Sequence, residues 1–140
     1  MKSENIHIVV RSNNRSHSYE KTLMIVHRDQ IDIPCLRLNL NKEITDEIRL
    51  EVVRRETQTI INHYFNGITV KNIQPIIDSS FLIFLVELEG WPENKPHTNN
   101  PYAFIDKMHI NNLTKTSHII VESVDKYLND LDSVEISSTV

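Results

Sequence analysis

Thr45-Asp46-Glu47-Ile48-Arg49-Leu50-Glu51-Val52-Val53-Arg54-Arg55-Glu56-Thr57 is the stretch that decides how the rest of the chain is read. Thr45 is suited to cap a first helical turn, and Asp46 and Glu47 favour the positive end of a helix dipole. Ile48, Val52 and Val53 form an apolar stripe of helical period. The period can continue through Ile60, Ile61 and Tyr64 to Gly67, where positive φ carries no steric cost and a helix can end. The polar run Glu56-Thr57-Gln58-Thr59 is the one place that could interrupt it.

Strands are expected on the N-terminal side of this helix. Asn5 to Arg11 is rich in β-branched residues, Ser12 to Ser16 reads as a polar turn, and Lys21 to Arg28 as a second, more apolar strand. Asp29 to Pro34 connects onward, and a loop carries the chain to Glu43. On the C-terminal side, Ile68 to Ile76 and Ser80 to Leu88 read as strands. Phe81-Leu82-Ile83-Phe84-Leu85-Val86, apolar on both faces, suits the middle of a core. Gly90 to Pro101 holds three prolines and reads as a long loop. Tyr102 to Asp106 is a short strand, Lys115 to Leu128 an amphipathic helix, and residues 131–140 a polar tail after a single domain spanning 1–130.

Composition narrows the function classes. A chain of 140 residues with 39% apolar and 24% charged residues fits one globular domain, and two glycines leave no material for a phosphate-cradling glycine loop. A formal charge of −4, with basic residues scattered, excludes general nucleic-acid binding as an expectation. No apolar run is long enough for a membrane-spanning helix, and Met1 to Asn5 has no signal-peptide core. The expected compartment is the cytoplasm. The single cysteine, Cys35, can form no internal disulfide and is expected to be a small half-buried side chain. No histidine pair has zinc-site spacing, His109 and His118 read as polar residues flanking a helix, and Ser79-Ser80 lacks the glycines of a nucleophile elbow.

The order of strand, strand, loop, helix, two strands, loop, short strand and helix resembles the Nudix family, an α/β/α sandwich around a mixed sheet. The segment from Pro34 to Thr57 resembles that family's box, G-x5-E-x7-R-E-U-x-E-E-x-G-U, in spacing and helix placement. Laid without gaps, Glu43 stands at the first glutamate, Glu51 and Val52 at the R-E pair, Val53 at the apolar position, and Arg55 and Glu56 at the E-E pair. In a second register Arg55-Glu56 is the R-E pair, Glu47 the first glutamate, and Thr59 and Ile60 the E-E pair. Both keep Glu56 and lose two of three helix carboxylates. Leu23 to Arg28 and Phe104 to Leu113 carry further likeness, so the resemblance spans about 110 residues. It implies an α+β fold, a mixed β-sheet flanked by a box helix and a C-terminal helix.

The resemblance also implies chemistry that the residues support only in part. Nudix-type hydrolysis uses Mg or Mn held by several carboxylate oxygens. Glu43, Glu47, Glu51, Glu56 and, from the central strand, Glu87 with Glu89 are the candidates, Glu56 being also the catalytic candidate. Arg55, in the place of a ligand, would repel a cation and attract a phosphate. Arg28, Arg54, Arg55, Trp91 and Tyr102 are therefore the candidate ligand-binding residues. Against this, Glu51 and Arg55 can form an ordinary surface pair of about 0.3–0.5 kcal/mol. Trp91, Tyr102 and Phe104 either form an aromatic wall for a flat ligand or cap an open end of the core.

The expectation is a Nudix-like domain without hydrolysis, partnered by a nucleotide-like small molecule or a protein. An atypical Mg-dependent hydrolase of nucleoside diphosphate derivatives is the alternative. A small acidic inhibitor of the immunity type is a second, resting on size and charge.

Overall fold

The structure is a computed structural model that describes residues 2–14, 19–76, 80–96, 99–106 and 112–138. Among these, seven strands form one mixed sheet with a helix on each face. The strands are β1 (Lys2–Asn14), β2 (Tyr19–His27), β3 (Gln30–Asp32), β4 (Cys35–Leu40), β5 (Phe65–Pro75), β6 (Ile83–Asn94) and β7 (Tyr102–Asp106). The helices are α1 (Asp46–Tyr64) and α2 (Lys115–Ser138). This is the α+β sandwich that the sequence implies. No described helix is long and apolar enough to cross a membrane.

β1 is the organising strand. One of its edges pairs in parallel with β6 from His7↔Ile83 to Ser12↔Leu88. Its other edge is shared: β4 occupies Lys2 to His7 and β2 occupies Arg11 to Asn14, both antiparallel. The sheet therefore forks between them, where the Ile8 amide donates to the Pro34 carbonyl at 2.9 Å. β5 completes one side of the sheet against β6, while β2 carries β3 and β7.

Strand alternation divides the core between two faces. Ile6, Ile8, Val10, Phe84, Val86 and Leu88 face α1, meeting Val53 and Ile61. Val9, Ile83, Leu85 and Met24 face α2, meeting Ile120 and Val124. Each such fully buried aliphatic side chain contributes about 1.5–3 kcal/mol, which makes these two layers the main source of stability.

α1 starts as the sequence predicts: the Thr45 hydroxyl accepts from the Ile48 amide at 3.3 Å. Its buried residues are Val53, Thr57 and Ile61, so the polar run at 56–59 does not break the helix, because Thr57 points inward. Arg49 fixes this end to β1, with Nε and Nη2 donating to the Glu4 carboxylate at 2.8 and 2.6 Å and Nη1 to Asp46 at 2.7 Å. The other end stops at Tyr64, not Gly67. The Phe65 amide caps onto the Ile61 carbonyl, and Lys95 takes the Tyr64 carbonyl with its amide (3.0 Å) and the Asn62 carbonyl with its ammonium.

Four further expectations are corrected. The region before Glu43 is not a loop, since β3 and β4 occupy it, held by β2 and β1. The turn expected from Ser12 to Ser16 does not start at Ser12, because β1 runs through Asn14, and Arg15 and Ser16 lie outside the described residues. The loop expected from Gly90 begins only after Asn94, because β6 continues through Pro92. Pairing there jumps from Asn66↔Glu93 to Ile68↔Gly90, so the proline, which has no amide to donate, falls in the irregularity. Finally, α2 continues to Ser138 where a tail was expected from 131, no glycine or proline intervening to stop it. Ser79 and His109 lie outside the described residues.

Candidate functional site

The box segment covers the end of β4, the turn that follows it, and most of α1. Packing accommodates both registers, because Val53 and Thr57, the residues at the apolar position in the two alignments, are both fully buried. The carboxylates do not gather. Glu43 precedes the helix and is exposed, as are Glu47 and Glu51. At roughly 100° per residue, Glu56 projects about 180° around the helix from Glu47 and about 140° from Glu51. The Glu56 carboxylate lies 3.5 Å from the Arg55 guanidinium, both side chains being substantially exposed. Arg54 also lies on the exposed surface of α1.

Glu87 lies across the sheet from this helix. Val86 and Leu88 face α1, so the intervening Glu87 faces α2, beside its register partner Arg11, and accepts from the Gln74 amide at 3.4 Å. Arg11 is itself buried on that face, bonded to Asp125 at 3.0 Å and to the Thr22 hydroxyl at 3.4 Å. A sheet thus separates the strand carboxylate from the helix it was expected to assist. Among the described residues, no three histidine, cysteine, aspartate or glutamate side chains are placed to hold a metal ion. Mg²⁺ or Mn²⁺, the ion that the Nudix resemblance implies, requires several converging oxygens, so the residues present do not fit it.

The candidate aromatic residues separate as well. Tyr102 packs on Tyr64 with ring centroids 5.2 Å apart, and Phe104 meets Phe65 at 4.9 Å. These four rings close the α1-side core, and burial together with the neighbouring Tyr64 raises the Tyr102 pKa. Trp91 is instead 40% exposed, with the Lys21 ammonium 4.9 Å from its ring centroid. Arg28 occupies the exposed two-residue turn between β2 and β3, with φ of 50°.

One group of polar residues assembles that the sequence did not suggest. A cavity of about 280 Å³ opens at the fork of the sheet, where β2 departs from β1 and β4 replaces it. His7 and Cys35 line it as direct cross-strand partners, joined by His27 at the end of β2 and Asp32 at the end of β3. Ile25 and Ile33 form apolar wall, and the start of α2 brings Thr116 and Ser117. Asp32 Oδ1 accepts the hydroxyls of Thr114 and of Ser117 (3.0 Å), and the Ser117 oxygen accepts the Ile33 amide at 2.9 Å. His7 packs edge-on against Phe81 at 5.4 Å, and burial lowers its pKa. Cys35 is exposed, not half-buried as expected, although neighbouring protein still raises its thiol pKa through desolvation. Sequence reading missed this group because its members, spread from His7 to Ser117, converge only through the pairing of β4 with β1 and of β3 with β2 and the docking of the start of α2 on Asp32.

No protein-family sequence profile matches the chain, and no curated protein matches its sequence. Solved structures do match in three dimensions. The C-terminal domain of mouse MUTYH, solved in complex with human PCNA, superposes with a TM-score of 0.56 at 8% identity, over 92% of this chain and 91% of that domain. The NUDIX domain of Shewanella oneidensis NrtR, solved with ADP ribose, gives 0.46 at 9% identity over 91% and 90% of the two chains. A putative NUDIX hydrolase from Listeria monocytogenes gives 0.48 at 9% over 92% and 96%. The likeness is one of architecture: this chain has a Nudix-like fold, a mixed sheet between a box-type helix and a C-terminal helix.

Proposed function

We propose that the chain is a non-catalytic binding module built on a Nudix-like fold, which holds a nucleotide-like anionic ligand or a protein partner through the outer face of α1. The observation that carries this reading is the dispersal of the box carboxylates: Glu47 and Glu56 leave opposite sides of the helix, and Arg55 stands against Glu56. A guanidinium beside the last box glutamate disfavours a divalent cation and favours phosphate or carboxylate. Arg54 and Arg55 are accessible for either kind of anion. The likeness to a MUTYH domain crystallised with PCNA supports a protein partner as one form of this binding.

Calorimetric titration of the full chain with Mg²⁺ and Mn²⁺, paired with phosphate release from a panel of nucleoside diphosphate derivatives, tests the reading. The expected result is no metal binding in the micromolar range and no turnover. Metal binding or turnover that disappears in Glu56→Gln would establish the Mg-dependent hydrolase instead. In EDTA, thermal shift with ADP separates the ligand forms: stabilisation lost in Arg55→Ala supports an anionic ligand.

A further inference from the structure

The cavity at the sheet fork is remote from the anion-binding surface proposed for α1, and its chemistry is opposite in sign. Its single carboxylate, Asp32, directs only Oδ1 to the Thr114 and Ser117 hydroxyls among the described residues, leaving Oδ2 uncommitted there. Neither ring nitrogen of His7 has a hydrogen-bond partner among the described residues, and the ring stands at right angles to that of Phe81. Ile25 and Ile33 supply apolar wall next to these acceptors. We infer that this cavity is a second binding site, for a small organic cation that presents N–H donors on a short apolar stem, such as an alkylguanidinium or alkylammonium group.

Charge and hydrogen bonding both select this class. Asp32 is the only carboxylate lining the cavity, no lysine or arginine joins it, and partial desolvation raises the pKa of the Cys35 thiol. The positive end of α2 offsets part of the carboxylate charge but does not reverse it, because a helix end amounts to about half an elementary charge. A donor-rich cation satisfies Asp32 Oδ2 and the acceptor nitrogen of His7 together, whereas a phosphate would meet a carboxylate. At about 280 Å³ the space lies just below the range of drug-sized pockets, which suits a small ligand.

Amide chemical-shift titration of the ¹⁵N-labelled full chain at pH 8, with methylguanidinium and butylammonium chlorides against sodium chloride, phosphate and acetate, decides it. Saturable shifts at His7, Cys35 and Ser117 with the cations alone are expected, weakened at least tenfold in Asp32→Asn. Asp32 also secures the start of α2, so His7→Phe serves as a second variant: it removes the acceptor nitrogens while keeping an aromatic ring against Phe81, leaves the Asp32 contact in place, and should weaken binding at least tenfold while circular dichroism stays native. The assignment is overturned if neither cation gives saturable shifts, if phosphate or acetate moves the same amides, or if both variants bind as the wild type does. None of these outcomes depends on α1, so the α1 reading stands or falls separately.

Discussion

Gly67 and Gly90 lie against each other across β5 and β6, so close that a Cβ on Gly90 would overlap the Gly67 carbonyl oxygen, and one on Gly67 would come within 2.8 Å of the Trp91 carbonyl oxygen. They are the only two glycines in the chain, and both have positive φ, 82° and 106°. The sequence thus uses its glycines at a single place, the irregular pairing that lets β6 continue past Leu88 to Asn94 and hold the end of α1.

Alanine at either position should be destabilising, and unequally. Gly67→Ala meets one backbone oxygen and an unfavourable φ, with an expected cost of about 1–2 kcal/mol. Gly90→Ala must in addition force two strands apart and should cost more than about 3 kcal/mol. Urea unfolding of the two variants measures the order. Equal costs, or a smaller cost at Gly90, would contradict the close approach.

Arg28 presents the converse case, a non-glycine residue at φ of 50° in a two-residue turn between His27 and Gln30. Its side chain is exposed, and glycine would relieve a left-handed conformation worth about 1–2 kcal/mol while adding flexibility to the unfolded chain. Arg28→Gly should therefore be neutral or stabilising by up to about 1 kcal/mol in thermal unfolding. A clear loss of stability would reveal a contact made by the guanidinium.

How far the sequence could be read follows from which forces are local. The cap at Thr45 and the start of α1 were legible because the threonine, the two acidic residues and the apolar period lie within three turns. Ile83 to Val86 announced the central strand because they are apolar on both faces. Leu36, Leu38 and Leu40 alternate with polar residues and did carry a strand signal. Its partner is the start of β1, some thirty residues away, and Pro34 drew the reading toward a loop. The candidate site was less legible than the fold. Spacing along the box places glutamates in sequence, but the direction each takes around α1 depends on which face the sheet buries. Glu87 likewise changes meaning once alternation assigns it to the α2 face.

The Glu4–Arg49 pair ties the first turn of α1 to β1 and should appear in the pH dependence of stability. Bonding to the Arg49 guanidinium lowers the Glu4 pKa below the ordinary carboxylate range, burial opposing the shift only in part. A carboxyl whose folded pKa is depressed stabilises the protein above its unfolded pKa of about 4.3, and that contribution fades as pH falls through the lower folded value. Glu4→Gln should therefore be less stable than wild type at pH 7, with the gap closing below about pH 4. A gap that is constant from pH 7 to pH 3 in chemical denaturation would show that the charge plays no part.

Thr57 and Ser12 are the two buried hydroxyls without a hydrogen-bond partner among the described residues, and both lie on the α1 side of the sheet. A buried hydroxyl left unpaired costs about 1–3 kcal/mol, and valine has nearly the shape and helix propensity of threonine. Thr57 also occupies the apolar position of the box in its second register, so Thr57→Val restores the residue type that position takes in the resembling family. The variant should be more stable than wild type by about 1 kcal/mol in urea, with α1 unchanged by circular dichroism. If Thr57→Val instead lowers stability, the hydroxyl is bonded in solution to a buried water, and Ser12→Ala should then lower it further if the same water joins both.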